Sequence, residues 1–278
     1  MATPAERQQQ TSPRRPQTPR LVGETVIEPS PRWVRAFFDG VPIADSKRVL
    51  MAFEPRHFAD YWFPLSDVRA DLLERTATDT GPAPSRLGRS LSPGPPLDRY
   101  TLRVGGRVAE NAAWSYAAPD AAHAALQGHI AFAWKAMDAW YEEDQEVFVH
   151  ARDPYHRVDA VPSSRHVRVE VEGRMVADTM RPVLLFETGL PTRYYVPKLD
   201  VRMDLLEPTD THSRCPYKGV ASYWSLRLGD RVFADLAWSY PLPIPECPKI
   251  ENLVAFYNEK VDLYVDGDLQ ERPRTPWS

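Results

Sequence analysis

The sequence predicts two tandem, mainly β domains with one helix in each, and three observations carry that prediction. The chain is written twice, with the second half repeating the first in one order. Its apolar residues alternate in short runs closed by glycine turns, the period of half-buried strands. One stretch in each copy, by contrast, spaces its apolar residues as a helix does.

The repeat is best seen by overlay. RWVRAFFDGVPIADSKRVLMAFE, from Arg32, lies over HVRVEVEGRMVADTMRPVLLFE, from His166. One constant offset carries Gly40 to Gly173, Ala44 and Asp45 to Ala177 and Asp178, Phe53 and Glu54 to Phe186 and Glu187, Tyr61 to Tyr194, and Pro64 to Pro197. DVRADLLERTAT, from Asp67, meets DVRMDLLEPTDT, from Asp200, in the same frame. A shorter offset then carries LRVGGRVAENAAWSY, from Leu102, onto LRLGDRVFADLAWSY, from Leu226, so the first copy holds extra residues in between. They fall in GPAPSRLGRSLSPGPPLDR, from Gly81, which reads as a flexible loop. This is one domain duplicated and fused.

The elements follow in order. Residues 1–29 are rich in Pro, Gln, Thr and Arg with little to bury, and read as a disordered tail with no secretory core. Residues 30–149 form the first, degenerate copy, 150–163 a linker, 164–270 the second copy with its motifs intact, and 271–278 a C-terminal tail. Within the second copy, Val167, Val169 and Val171 alternate with Arg168, Glu170 and Glu172, which predicts a strand. Asp39-Gly40 and Glu172-Gly173 supply tight turns, because glycine accepts the positive φ of a hairpin turn. VLLFE and RYYVP read as further strands, and YWSLRLGDRVFADLAWSY as a hairpin turning at Gly229 and Asp230. Apolar residues at 250, 253, 254, 257 and 261 predict the helix of the second copy. DAAHAALQGHIAFAWKAMDAWYEE, rich in alanine, predicts that of the first.

Composition bounds the function. The 278 residues are 43% hydrophobic and 26% charged, enough apolar material for real cores. A net charge of −4 speaks against nucleic acid as a partner, and no apolar run approaches bilayer length. Two cysteines, Cys215 and Cys247, make neither a disulfide framework nor a four-thiolate zinc site, and a cytoplasmic protein with reduced thiols is expected. Asp200 and Asp204 suggest a metal-holding pair, yet Asp67 and Asp71 repeat the spacing in the degenerate copy, which favours a structural role beside Arg202. His150 with His156, or His123 with His129, have the wrong spacing for one helical face, and no metal is assigned. Arg181, at a strand start, reads equally as an anion anchor or a solvated cation.

The stretch RCPYKGVASYW, from Arg214, concentrates the chemistry. Lys218 offers a compact cation with three donors. Tyr195, Tyr223, Trp224, Trp238 and Tyr240 offer flat walls with polar tips, and Glu187 a carboxylate at a strand end. Aromatic walls with a few convergent polar groups are how small ligands are held. Cys215 has His212 and Lys218 three residues away on either side, and nearby cations lower a thiol pKa, so Cys215 and Lys218 are also candidate catalytic residues. The third reading is a buried cysteine and packed aromatics without function. The first copy keeps AWSY but has no CPYKG, so any such site belongs to the second. On this reading Lys218→Ala leaves the free protein about as stable as before.

VADTMRPVLLFETGLPTRYYVP, CPYKGVASYW and AWSYPLPIPE, followed by VDLYVDGD, resemble the bacterial and fungal domain of unknown function 427. The second copy resembles it nearly end to end, from about His166 to Asp268, and the first in outline, from about Arg32 to Asp144. The resemblance implies two tandem β-tent domains of the Mss4-like fold, a group that includes methionine sulfoxide reductase B and the ligand-binding domain of cereblon. Members of that fold often staple two sheets with zinc held by paired CxxC motifs. This chain has no CxxC, so no structural zinc is expected. A nucleotidyltransferase label travels with the family, but no P-loop pattern occurs, and fold likeness does not confer chemistry.

The expected function is therefore binding of a small planar or anionic metabolite in an aromatic-lined pocket of the second domain, with no cofactor specified. The alternatives are an enzyme using Cys215 as nucleophile or redox centre, and a structural pseudo-dimer presenting a surface to a protein partner. The duplication internalises a homodimer-like pairing and leaves further association open.

Overall fold

The computed structural model describes residues 24–54, 58–79 and 95–278. The tail up to residue 23 and the Pro/Gly/Ser stretch 81–94 lie outside the described residues. The chain splits into two compact units, Met1–Glu146 and Val147–Ser278. Both are built of β-strands, as the alternation predicts, with the named strands paired antiparallel, and no helix among the described residues is long and apolar enough to cross a membrane.

The first unit holds β1 (Val26–Pro29), β2 (Val34–Phe38), β3 (Val41–Ser46), β4 (Leu50–Phe53), β5 (Asp60–Pro64), β6 (Leu73–Asp79), β7 (Leu97–Val104), β8 (Arg107–Tyr116), β9 (His129–Phe132), β10 (Ala139–Glu142) and β11 (Gln145–Glu146). They form a seven-stranded sheet, β1-β4-β5-β9-β8-β7-β6, and a four-stranded sheet, β11-β10-β2-β3. The second unit repeats this strand for strand. It comprises β12 (Val158–Pro162), β13 (Val167–Val171), β14 (Arg174–Thr179), β15 (Val183–Glu187), β16 (Arg193–Val196), β17 (Leu206–Cys215), β18 (Gly219–Leu228), β19 (Arg231–Ser239), β20 (Val254–Phe256), β21 (Asp262–Val265) and β22 (Asp268–Leu269). Its sheets run β12-β15-β16-β20-β19-β18-β17 and β14-β13-β21-β22.

The details repeat as well. Asp39 and Gly40 at φ of 50° and 71°, and Glu172 and Gly173 at 53° and 74°, close the β2–β3 and β13–β14 hairpins with two left-handed residues. That is the primed turn whose twist matches the strands it joins. A bulge follows Ala36 in one hairpin and Val169 in the other. Asp200 accepts from Thr179 and Arg181, as Asp67 does from Ser46 and Arg48. Arg202 grips Asp204 with two bonds, as Arg69 grips Asp71. These aspartates are fold pieces, and Arg181 is engaged by Asp200.

The end of the stretch 1–29, read as a disordered tail, is in fact a strand, Val26–Pro29, because it pairs with Leu50–Phe53 at the sheet edge. Two further expectations need correction. Neither helix forms. Residues 248–261 contain a single 3-10 turn, Pro248–Ile250, and then β20. β20 is wedged between β16 and β19, so Val254 and Phe256 enter one core while Ala255 enters the other. That two-residue alternation wins over the helical spacing of Ile250, Leu253, Val254, Tyr257 and Val261, because the sheet satisfies the backbone on both sides. In the first unit, Gly128 at φ 76° breaks the alanine-rich stretch, leaving 3-10 turns at Ala124–Leu126 and Trp134–Ala136 with β9 and β10 beside them. Propensity yields to pairing here. The second correction concerns 150–163, read as a linker. Val158–Pro162 is an edge strand paired with Val183–Glu187, and the residues before it belong to the site described next.

The large sheet of the second unit has two buried faces. One packs with the small sheet around Val167, Val169, Leu226, Leu236 and Phe256. The other gathers Leu185, Tyr195, Trp238, Tyr240, Cys247 and Ile250, with Cys215 and Tyr223 at its margin. β16 shows the division: Tyr194 and Val196 face the first core, Tyr195 the second.

Candidate functional site

The site starts from a turn that only glycine can make. β17 and β18 end on the pair Cys215 and Gly219, and Pro216, Tyr217 and Lys218 cross between them. The crossing is closed by the Lys218 N–H donating to the Cys215 carbonyl at 3.4 Å. Gly219 has φ 106°, and a Cβ there would sit 3.2 Å from the Leu242 carbonyl oxygen and 3.3 Å from the Ile244 nitrogen. The 242–244 segment is that close because it bridges Gly219 at Pro243, and because the Ile244 N–H donates to the Lys218 carbonyl at 3.1 Å. Gly219→Ala is expected to cost about 1–3 kcal/mol through backbone strain alone. Urea unfolding of the variant measures it; an unchanged midpoint would show that the segment gives way freely.

This anchored turn delivers Lys218 inward. Its Nζ donates to Glu187 Oε2 at 2.5 Å, and His156 Nε2 lies 2.9 Å from Glu187 Oε1. The side chains of His156, Glu187 and Lys218 are 6%, 7% and 10% exposed. Glu187 is the last residue of β15, where it pairs with Val158, and His156 sits two residues ahead of Val158, the start of β12. The segment before β12 clamps the turn from outside. Arg152 donates from Nε to the Pro216 carbonyl at 3.1 Å and from Nη2 to Glu246 at 3.2 Å. The Asp153 N–H donates to the Tyr217 hydroxyl at 2.8 Å. The Tyr217 ring stacks on His156 at 4.2 Å and 21°, and lies 5.8 Å from the buried His150 ring.

Burial would raise the Glu187 carboxyl, but hydrogen bonding from His156 and the charge of Lys218 outweigh it and hold it at about 2. Burial would lower Lys218, yet Cys215 and Glu187 together raise it above the ordinary lysine value. The two shifts agree in sign: each partner holds the other charged. A carboxylate depressed on folding stabilises the native state above its unfolded value and loses that contribution as pH falls through its folded one. Between pH 4.5 and about 2, protonation of Glu187 is therefore expected to remove stability on the order of 3 kcal/mol. Glu187→Gln should flatten that limb of an unfolding-versus-pH series; a limb of unchanged depth would place the acid sensitivity elsewhere.

The aromatic residues divide. Trp238 donates from Nε1 to the Tyr195 hydroxyl at 3.2 Å and lies 4.7 Å from the Tyr257 ring. Tyr223 shares a 2.7 Å hydrogen bond with Ser213. Tyr240 and Tyr195 interact with Glu187 and Cys215, and burial carries both hydroxyls well above the usual phenol range. Tyr195, Tyr223, Trp238 and Tyr240 thus stand on the Cys215 side of the sheet. Trp224 does not. It packs against the opposite core with Lys198 Nζ 5.4 Å from its ring, because neighbouring residues on β18 face opposite ways. Cys215 is half-buried and free, and Cys247 is buried and free with its thiol pushed up to about 11 by desolvation. Among the described residues, no group of three or more His, Cys, Asp and Glu is placed to hold a metal ion.

His156, Tyr217 and Arg152 belong to this cluster, and the sequence reading did not place them in it. The signal was present: YHRVDAVP alternates Val158 and Ala160 toward the second core, and a histidine just ahead of such a strand is a candidate for a strand-end carboxylate. The first unit has the same position for Glu187 in Glu54, but other partners. Tyr116, the counterpart of Tyr240, donates to Glu54 at 3.0 Å, and His123 Nε2 lies 3.6 Å away. Trp62 replaces Tyr195, so Trp114, the counterpart of Trp238, is left with a buried indole N–H that meets no acceptor among the described residues.

Fold and site together define a duplicated, all-antiparallel β protein, one unit of which buries a Lys–Glu–His cluster beside an aromatic core. The chain belongs to the family described as Domain of unknown function (DUF427), whose model matches residues 26–84, 96–143 and 159–267, and so covers both units. No curated protein matches it.

Proposed function

We propose that the chain is a small-molecule binding protein whose second unit takes a planar metabolite with an anionic or ionisable edge. The observation that carries this reading is the Lys218 ammonium, buried against Glu187 and within electrostatic reach of Cys215, beside a ring-walled core. Stability alone gives no reason for it. A buried ion pair is often no better than well-packed hydrocarbon of the same volume, so a chain selected only to fold has no need of Lys218 there. Of the three Nζ donors, the one to Glu187 has a partner and the other two meet no acceptor among the described residues. In this reading Lys218 and Glu187 hold the polar edge of the ligand, while Tyr195, Tyr223, Trp238 and Tyr240 hold its faces. The first unit serves as scaffold, the fold is of the β-tent class, the pseudo-dimer needs no nucleic acid or membrane, and the compartment is cytoplasmic.

Thermal shift against planar aromatic carboxylates and phenols tests it, with Lys218→Met/Glu187→Gln as the control that removes both charges together. The reading expects at least one compound to raise the melting temperature of the wild type and not of the double variant. Equal shifts in both proteins would contradict it.

The closeness of Lys218 to Cys215 also favours a second reading, in which the ammonium stabilises a thiolate nucleophile. Iodoacetamide at neutral pH separates the two. A binding role expects Cys215 to react no faster than a free cysteine, with Cys247 silent in the folded state. Alkylation of Cys215 many-fold faster would favour the nucleophile.

A further inference from the structure

His156 presents a polar atom that the fold leaves unused. Its Nε2 is committed to Glu187 at 2.9 Å, while Nδ1 is buried and finds no hydrogen-bond partner among the described residues. An acceptor-only carboxylate at Nε2 fixes the proton there, so Nδ1 carries the lone pair. Turning the ring over would break its bond to Glu187, and the Tyr217 ring stacked on its face is itself held by the Asp153 N–H. A buried acceptor with no donor costs free energy and calls for a ligand or a water. A carboxylate that orients an imidazole whose other nitrogen stays open is the arrangement of a general base.

We propose that His156 is the proton acceptor of this site, and that its ligands are planar weak acids of the enol or phenol class, bound as their anions. The proposal rests on the binding role given above and names the ligand class and the residue that selects it. The step balances within the site. The ligand O–H bond breaks, an N–H bond forms at His156 Nδ1, and the ligand oxygen keeps the electron pair as an anion that accepts from the free donors of Lys218. Before transfer the cluster holds one cation and one carboxylate with a neutral imidazole. Afterwards His156 and Lys218 are two cations, matched by Glu187 and the ligand oxygen as two anions. No oxidant, metal or second substrate is needed. Among the described residues Glu187 meets the edge of the imidazole and Lys218 meets Glu187, while Tyr217 covers the face of the ring. Glu187 stays ionised across the physiological range, so the carboxylate at Nε2 is in place to balance the imidazolium that forms on transfer.

The probe is p-nitrophenol, whose anion has its own visible absorbance. Binding is read from tryptophan fluorescence, and ionisation from the absorbance of the bound dye. The expected result is binding to the wild type with the dye's titration shifted down by roughly one to three pH units, the size of effect that a neighbouring cation produces. His156→Gln keeps a donor for Glu187 but has no basic nitrogen, and should bind the dye as the neutral phenol. Nitrogen NMR of labelled imidazole in the unaltered protein gives an answer that does not depend on the variant folding: Nδ1 should change from unprotonated to protonated as dye is added. A bound dye that stays neutral, an Nδ1 signal that does not move, or a shift that survives in His156→Gln overturns the proton acceptor and leaves the binding role standing. Absence of dye binding, with other planar compounds active in the thermal-shift series, overturns the ligand class. Silence of the whole panel overturns both.

Discussion

Lys218→Met is expected to lower the unfolding free energy by about 3–5 kcal/mol, the usual cost of stripping one partner from a buried ion pair. This reverses what the sequence suggests, where a turn lysine can be removed at little cost. The difference lies in Glu187. Its carboxylate is buried and turned toward Nζ at 2.5 Å, so the variant leaves a charge in low dielectric with only His156 to meet it. Two features separate this account from simple loss of packing. Methionine nearly fills the volume of the lysine stem, so packing changes little. The penalty should also shrink in acid, because protonating Glu187 removes the orphaned charge. Adding Glu187→Gln to the variant should restore most of the loss, and a double-mutant cycle in urea measures the coupling. A loss below about 1 kcal/mol, of the kind seen for exposed pairs, would mean that the ammonium is solvated.

Arg193→Met should cost a similar amount, about 3–5 kcal/mol, by the same reasoning at a different place. Arg193 opens β16 and meets Glu259 in a two-pronged pair, both bonds at 2.7 Å, with the Glu259 side chain fully buried. Burial would raise that carboxyl, but Arg193 and Thr275 together hold it below the ordinary range. Thr275 donates at 2.6 Å, and the guanidinium lies 5.6 Å from the Trp277 ring and 5.7 Å from that of Trp238. The C-terminal residues 271–278, read from sequence as a tail, are thus part of the cover of this pair. Arg193→Lys should recover only part of the loss, since an ammonium cannot reproduce the planar fork. Full recovery in the lysine variant would contradict the geometric argument.

What the chain shows on its face follows from periodicity. β13 was legible because its valines alternate against charged neighbours, and the β2–β3 and β13–β14 turns because Asp-Gly and Glu-Gly require left-handed backbone. The repeat was legible because duplication preserves spacing. β20 was not, since three buried residues carry too short a pattern to overrule the helical spacing around them; only the flanking strands decide it. The candidate site divides in the same way. Cys215, Lys218 and Tyr223 are close in sequence to a recognisable turn. The pairing of Lys218 with Glu187 spans 31 residues and depends on how β12 and β15 align with the β17–β18 turn. His156 belongs to a stretch whose Pro and polar content masks a strand. Trp224 was misplaced because neighbouring residues on a strand face opposite ways, so the Tyr223–Trp224 pair could never serve one wall.

The central claim is that the second unit holds a ligand at Lys218, Glu187 and His156. A proton–nitrogen correlation spectrum of labelled protein, titrated with p-nitrophenol and the planar carboxylates, tests it directly. The account predicts that the amides of Tyr217, Lys218 and Gly219 and the indole of Trp238 shift together and saturate, while amides of the first unit stay in place. Saturable shifts confined to the first unit, or scattered over both without those four signals, would contradict it.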